Sequence, residues 1–569
     1  MDESFYYTVT QRFAHGDRML IDEWYPTQLS AMLEIIPYRI AYSLCAGTEG
    51  IILCLRYMYI LVKIPIAFFM WIHLRRYHLF GLMSVLTYVS YIDFDITATF
   101  SYHTASTDGM IVVCMILVFS EKLTPMKMLF TGFVYACVVL AQPFSVFLYV
   151  LYTLSVFILL IVRKRRETPA KGKDFLVSVK AWLFFSAGCF LCAIPFFVFL
   201  IKNSDIRQII RMLPIILSDP DYSLNNGYDG KFRLLGKILR MLKVYNGVIT
   251  VAAVSFIAVY LIGKALLKGK SLLIFKQVCR IAGFAVCASL FILLIRDYQL
   301  EQGIIAFFFA PHQLIAFIAL ILCERKPKPA IMLFVIGIML SAFIDTSSQS
   351  ILAYGGFLTQ IRFFISAYTI IHELLAEKPS DGKEKISRLA SICACIAVIV
   401  SVLVWQATFV RTQISVPCAE GINEPIHLPE MSAVIEKGPQ KGLRTTPRVK
   451  EVLSTLYEDI DELKYKEAGN IYFYNRYPQF YLYANVKYTC SSTWSSRSSA
   501  LERQIQYWTV FPERAPNYIY ISSYDYNYFT PLRTSEINET LSQFGKYFDF
   551  NMTKGRAGII LTVTDVKFK

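Results

Sequence analysis

The stretch GIILCLRYMYILVKIPIAFFMWIHL, Gly50 to Leu74, followed at once by Arg75 and Arg76, decides the class of this protein. It exceeds the roughly 18–20 apolar residues that cross a bilayer, and it stops at a basic pair. Further apolar runs follow at 79–92, 109–120, 128–162 (broken at Gln142-Pro143), 177–201, 248–262, 281–295, 304–322, 331–344, 357–375 and 389–410. Together they predict an all-α polytopic membrane bundle of about twelve helices.

Composition agrees. Of 569 residues, 55% are hydrophobic and 17% charged, against about 25% charged in an ordinary soluble protein. The formal charge of +15 does not mark a nucleic-acid binder. Its basic residues sit in short loops between apolar runs: Arg75-Arg76, Arg163 to Arg166, Lys264 with Lys268 and Lys270, and Arg325 to Lys328. Basic loops at every second connection are the positive-inside signature, which sets orientation. With those loops cytoplasmic, segments 1–49, 93–108 and 202–246 and the tail from 411 face outside.

Near Arg411 the composition turns polar and rich in Tyr, Ser and Pro. Helical spacing over 448–467 and buried-strand patterns at 471–474, 518–522 and 558–564 predict a small α/β domain. Three parts result: a loop at 1–49, a membrane bundle at 50–410 and an extracytoplasmic domain at 411–569. Most of the thirteen cysteines lie in apolar runs, where they act as small apolar residues. Cys418 and Cys490 lie in the tail and could form one disulfide.

Acidic residues gather on the outward segments: Asp2-Glu3, Asp17 with Asp22-Glu23, Asp93 with Asp95 and Asp108, and Asp219 with Asp221. A carboxylate near a bilayer surface can act as general base on a hydroxyl or hold a divalent cation. Each can equally solvate a loop, but Asp2, Glu3 and Asp108 stand where apolar spans meet the outside, where charge costs more. Arg56 and Arg362 lie about 9 Å inside the outward ends of their spans, from the helical rise per residue. They either snorkel or bind a lipid phosphate through paired hydrogen bonds. Lys63, deeper in the first span, reads as half of a helix–helix ion pair. His103 and His312 read as structural residues, and the aromatic cluster from Tyr472 to Trp494 as core in preference to a sugar platform. There is no phosphate-binding Gly-rich loop and no zinc-protease or serine-hydrolase motif, which argues against an ATP-driven pump, a dehydrogenase or a standard hydrolase.

The motifs Asp2-Glu3-Ser-Phe-Tyr-Tyr, Arg12, His15-Gly16-Asp17, Leu55-Arg56-Tyr57, Thr107-Asp108-Gly109-Met110, Gln360-Ile361-Arg362-Phe363-Phe364 and Tyr477-Pro478-Gln479-Phe480-Tyr481-Leu482-Tyr483 share one resemblance. Together they resemble the GT-C class of polyprenyl-phosphate-sugar glycosyltransferases, in the protein O-mannosyltransferase and aminoarabinose-transferase branch. The last motif resembles a strand region of the bacterial members' outer domain. The resemblance implies a bacterial plasma-membrane enzyme that moves a sugar from a polyprenyl-phosphate donor to a lipid, glycan or protein acceptor, with inversion. Asp2 would be the general base. Glu3 and Asp108 would orient the acceptor or bind a divalent cation, and Arg56 and Arg362 would neutralise the leaving phosphate. In that family a transmembrane helix precedes the Asp-Glu pair, so a first helix is expected ahead of Met1. Two other readings compete: a polytopic transporter or lipid flippase, which predicts an internal repeat that the two halves do not show, and a catalytically inactive membrane scaffold.

Overall fold

A computed structural model describes residues 2–90, 99–166, 179–218, 247–272, 431–465, 469–474, 477–494, 500–525 and 529–568, with scattered helical positions between 274 and 399. The chain is mostly helical with a small C-terminal sheet. Three helical segments are long and apolar enough to cross a membrane: Ile51–Ser90, Tyr102–Phe119 and Val179–Asn203. The expected spans at 281–295, 304–322 and 331–344 lie outside the described residues, and those at 357–375 and 389–410 are described only at scattered positions.

The apolar runs become α3 (Ile51–Leu74), α4 (His78–Ser90), α5 (Tyr102–Phe119), α6 (Pro125–Ala141), α7 (Val146–Arg166), α8 (Val179–Asn203) and α10 (Gly247–Leu266). Arg75 and Arg76 form the 3-10 turn between α3 and α4. α6 and α8 meet closely because each offers a glycine at the crossing. A Cβ on Gly132 would stand 1.9 Å from the Phe185 carbonyl oxygen, and one on Gly188 1.9 Å from that of Leu129. Small residues allow this backbone approach between apolar helices.

α5 begins earlier than the apolar pattern suggests. Ser101 accepts a hydrogen bond from the Thr104 backbone N–H (3.1 Å), while the Ser101 N–H donates to Thr104 Oγ1 (3.0 Å). This capping box starts the helix at Tyr102 and satisfies donors that would otherwise be orphaned. Asp108 therefore sits inside the second turn of α5 and not at the junction of loop and span.

The largest departure concerns residues 1–49, expected as a loop. They form α1 (Asp2–Ala14), a 3-10 turn (Gln28–Ser30) and α2 (Ala31–Leu44). α1 carries an apolar stripe, Phe5, Val9 and Phe13, but its polar faces are buried as well, Thr8, Thr10, Gln11 and Arg12 included. It lies between α2 and the C-terminal domain. Its polar groups are paired: Thr8 with Thr493 (2.7 Å), Gln11 Nε2 with Asn485 Oδ1 (3.2 Å), and Tyr488, whose hydroxyl donates to Gln11 Oε1 (2.5 Å). Tyr7, Trp24 and Tyr38 belong to one apolar core with Ile51, Ile52 and Leu55 of α3 and with Leu456, Tyr481, Trp508 and Tyr520 of the tail. Segments 1–49 and 431–568 thus share a core, which we call the head.

The tail contributes a hairpin of β1 (Ala433–Val434) and β2 (Arg444–Thr445), then a four-stranded sheet in the order β3 (Ile471–Tyr474), β4 (Tyr518–Ser522), β6 (Gly558–Val566), β5 (Phe548–Lys554). β3 and β4 are parallel, with Ile471 opposite Tyr518, and the other pairs are antiparallel. The parallel pair needs a crossover, supplied by α12 (Pro478–Ala484) and α13 (Ala500–Val510); α11 (Pro447–Tyr465) and α14 (Thr534–Gly545) complete the domain. Residues 477–483, expected as a strand region, form α12 instead. Pro478 stands at its first turn, where its missing N–H does no harm, and Asn485 closes it in the left-handed region (φ 52°). The aromatics from Tyr472 to Tyr488 are buried core, except Tyr474, which is half-buried against it. Cys490 is buried with them as a free thiol, and Cys418 lies outside the described residues.

The head also caps α3. The Gly50 N–H donates to the Gly438 carbonyl (3.0 Å) and the Ile52 N–H to that of Pro439 (3.2 Å). Gly50 takes a left-handed conformation (φ 73°) to make this entry.

Candidate functional site

Glu3 and Asp108 are each held by α3, one turn apart. Glu3, in the first turn of α1, is almost fully buried. Arg56 of α3 grips it with two donors: Nε to Oε1 at 2.9 Å and Nη2 to Oε2 at 2.6 Å. This fork geometry is the strong form of a carboxylate–arginine contact. Asp108 accepts from the Tyr59 hydroxyl at Oδ2 (3.0 Å) and from the Tyr88 hydroxyl of α4 at Oδ1 (2.8 Å). Lys63 lies over the rings of Tyr59 and Tyr88, 5.8 and 5.1 Å from their centroids, and its charge acts on Asp108.

Arg56, Tyr59 and Lys63 follow at i, i+3 and i+7, which puts them on one face of α3. Arg56 and Tyr59 are separated by about 4.5 Å of helix rise, so the α3 residues that hold the two carboxylates are one turn apart on that face. α1 adds Tyr7, one turn beyond Glu3, whose hydroxyl is bonded to Thr99 just ahead of α5. Burial, reinforced by the Glu3 charge, holds the Tyr7 phenol well above its usual range. Tyr7 is therefore a neutral hydrogen-bonding group.

Of the five residues singled out for chemistry, Glu3, Arg56 and Asp108 converge on this face. Asp2 opens α1, with its side chain outside the described residues, and Arg362 lies outside them as well. Arg56, expected to be a phosphate ligand, is engaged by Glu3. Lys63, expected in a helix–helix ion pair, sits between the α3 and α4 tyrosines and beside Asp108. Tyr7, Tyr59, Tyr88 and Thr99 were not anticipated. The spacing of Arg56, Tyr59 and Lys63 was the signal that could have found Tyr59.

Asp17, Asp22 and Glu23 have a different fate. Arg12, fully buried, donates Nε to Asp17 (2.7 Å), Nη1 to Glu23 (2.7 Å), and Nη2 to the Asp22 carbonyl (2.5 Å) and the Tyr507 hydroxyl (3.2 Å). Arg514 of the tail reaches Asp17 (2.9 Å) and Asp22 (3.1 Å), and Arg18 pairs with Asp22 at 2.8 Å. Burial alone would raise the Asp22 carboxyl, but Arg18 and Arg514 outweigh it and hold it below the usual range. These acids bind the N-terminal segment to the tail. Asp93, Asp95, Asp219 and Asp221 lie outside the described residues.

Among the described residues no three or more His, Cys, Asp or Glu side chains gather as a metal site. Glu3 is taken by a guanidinium and Asp108 by two phenols, which does not fit a divalent cation. No family model and no curated protein matches this chain.

Proposed function

We propose that the protein is a membrane glycosyltransferase that moves a sugar from a polyprenyl-phosphate carrier to an acceptor hydroxyl at the outer membrane face, within a GT-C-like bundle of about twelve helices. The observation that carries the reading is the Glu3–Arg56 fork. It fastens the start of α1, and with it the Asp-Glu pair, to the entrance of the first span, one helical turn from the Asp108 centre. The resemblance of the same residues to the glycosyltransferase motifs supplies the chemistry.

In this reading Asp2 takes the proton of the acceptor hydroxyl as its oxygen attacks the anomeric carbon. The bond from that carbon to the phosphate oxygen breaks, and the polyprenyl phosphate leaves with the electron pair, so configuration inverts. One base and a stabilised leaving group are enough for this displacement. Arg56 and Arg362 are the cations assigned to the leaving phosphate. For Arg56 that means exchanging the Glu3 carboxylate for the phosphate, which offers the same bidentate geometry. Asp108, held by Tyr59 and Tyr88, orients the acceptor.

The test is transfer from a labelled polyprenyl-phosphate sugar by full-length protein in nanodiscs. Asp2→Asn should abolish transfer while expression and donor retention in a pulldown persist. Full activity of Asp2→Asn would sink the role of Asp2. Failure of the unaltered chain to retain the donor would favour the inactive-scaffold reading.

A further inference from the structure

Two amphipathic helices on the underside of the head leave an apolar stripe uncovered, and both adjoin membrane spans. In α2 the buried positions are Ala31, Glu34, Tyr38 and Ala41, a single face that packs into the head. The opposite face shows Ile36 (69% exposed), Ile40 (47%) and Leu44 (70%), with Arg39 exposed beside them. The spacing i, i+4, i+8 makes this one continuous stripe.

The helix α9 (Ile206–Leu217) repeats the arrangement. Ile209 packs against the cluster of Phe5, Tyr25 and Ala31, and Met212, Ile215 and Ile216 pack against the head core. Arg503 of α13 fixes it by donating to the Ile215 carbonyl (3.2 Å). Its other side exposes Ile206 (56%), Ile210 (63%) and Leu217 (64%) together with Arg207 and Arg211.

Their positions set the level at which these stripes stand. α8, a candidate span, ends at Asn203, two residues before α9, and α3, another, begins at Ile51 soon after α2. Both helices lie on the same side of the bundle, because Ile209 of α9 packs against the cluster that contains Ala31 of α2, and Ser204 and Gln208 bond to Met19 (3.2 Å) and Arg18 (3.1 Å) just ahead of it. Each is therefore held between the head above it and the plane in which the spans end. Helices with an apolar stripe edged by basic residues at that level lie in the interface, with side chains among the acyl carbons and cations at the phosphates.

We infer that α2 and α9 are interfacial helices on which the head rests against the bilayer, with Arg39, Arg207 and Arg211 binding the phosphate groups of anionic phospholipid. This does not depend on the proposed transferase activity. The occupant is the lipid surface, since the stripes continue from spans that are themselves in lipid and the flanking charge is basic.

The full chain in nanodiscs of mixed phosphatidylcholine and phosphatidylglycerol provides the test. An environment-sensitive fluorescent amino acid replaces Ile210 in one variant, Ile40 in a second and Met552 in a third. Met552 is the control, 61% exposed on β5 of the sheet. Nitroxide lipids labelled near the headgroup should quench the first two strongly and deep-labelled lipids weakly, with the Met552 probe unaffected. Nitroxide on phosphatidylglycerol should quench the Ile210 probe more than the same label on phosphatidylcholine. Arg207→Gln with Arg211→Gln should remove that preference, a local enrichment of about fivefold per charge. Probes at Ile210 and Ile40 as silent as the control, or shielded by a second copy of the chain in cross-linking, would overturn the inference. Because the two probes sit on different helices, misfolding of one variant leaves the other to decide.

Discussion

Arg12 and Arg56 meet carboxylates in contrasting ways. Arg12 has no exposed side-chain surface, and its donors run to Asp17, Glu23, the Asp22 carbonyl and the Tyr507 hydroxyl. Arg514 closes the same acids from the tail. Arg56 grips Glu3 with its side chain still 16% exposed, at the edge of a candidate span. The first assembly is a weld between two distant parts of the sequence. The second is a two-donor fork at the start of α3 that keeps some solvent exposure. Charge alone does not separate the two centres; burial and the number of matched partners do.

The largest expected effect breaks the weld. Arg12→Ala leaves Glu23 facing a cavity without its cation and Asp17 with Arg514 alone, and removing one partner of a buried pair costs about 3–5 kcal/mol. The thermal unfolding of the purified chain should lose its head transition or shift far down. Arg12→Lys should recover little, since an ammonium cannot replace a planar fork that meets several acceptors. A near-native melt for Arg12→Ala would mean that Arg514 alone holds the acids.

Next in size is a buried acid with no arginine at all. Glu34 of α2 takes a hydrogen bond from Thr10 Oγ1 (3.1 Å) at Oε2, with Ser30 nearby, while its Oε1 is buried without a hydrogen-bond partner. Burial pushes its carboxyl from 4.5 up to about 7. The folded state therefore favours the neutral form. Its contribution to stability is complete below pH 4.5 and is lost as the pH rises through about 7. From the size of the shift the loss is about 3 kcal/mol. Melts from pH 4 to 8 should show the decline in the unaltered chain and a flatter profile in Glu34→Gln. Equal slopes would assign the pH dependence to other groups.

The fork is expected to be weaker than the weld. Glu3→Gln should cost about 1–3 kcal/mol, because the Arg56 side chain left behind is partly solvated, and Arg56→Gln should fall at the upper end of that range, because it leaves a buried carboxylate. The double variant should regain most of the lost stability, as two neutral amides can still hydrogen-bond. Stability restored without transfer would place Glu3 and Arg56 at the reacting groups. Stability and transfer restored together would make the fork purely architectural and dissolve the contrast with Arg12.

The sequence made some of this legible, for physical reasons. The apolar runs from Gly50 to Leu74 and from residue 177 to 201 are set by bilayer thickness, so α3 and α8 match them within a turn. The strands at 471, 518 and 558 carried a continuous apolar signal and also match. Residues 1–49 were misread because the Phe5, Val9 and Phe13 stripe of α1 is set among polar positions, Thr8, Thr10, Gln11 and Arg12, that are buried only where α2 and the tail surround them. No local pattern announces that Thr8 will meet Thr493 or that Arg12 will stack over Tyr488. At the candidate site Glu3, Arg56 and Asp108 were legible as charges in costly places. Tyr7, Tyr59 and Tyr88 were not, because an aromatic in a buried or apolar helix is indistinguishable by type from ordinary core.

The smallest effect concerns the start of α5, where that misreading and the site meet. Ser101 and Thr104 exchange hydrogen bonds, and Thr104 Oγ1 also donates to the Thr99 carbonyl (2.9 Å). Thr99 in turn holds Tyr7. Ser101→Ala removes one cap acceptor and should cost about 1 kcal/mol, and Ser101→Gly a few tenths. Either leaves the melt within a degree or two of the parent, about what that energy gives in a large domain. Asp108 lies in the second turn of the same helix, so a displaced start would move it against Tyr59 and Tyr88. Transfer that falls several-fold in Ser101→Ala at an unchanged melting point would show that the cap positions the Asp108 centre. An unchanged rate would confine its role to the helix end and leave Tyr59 of α3 and Tyr88 of α4 as the groups that place Asp108.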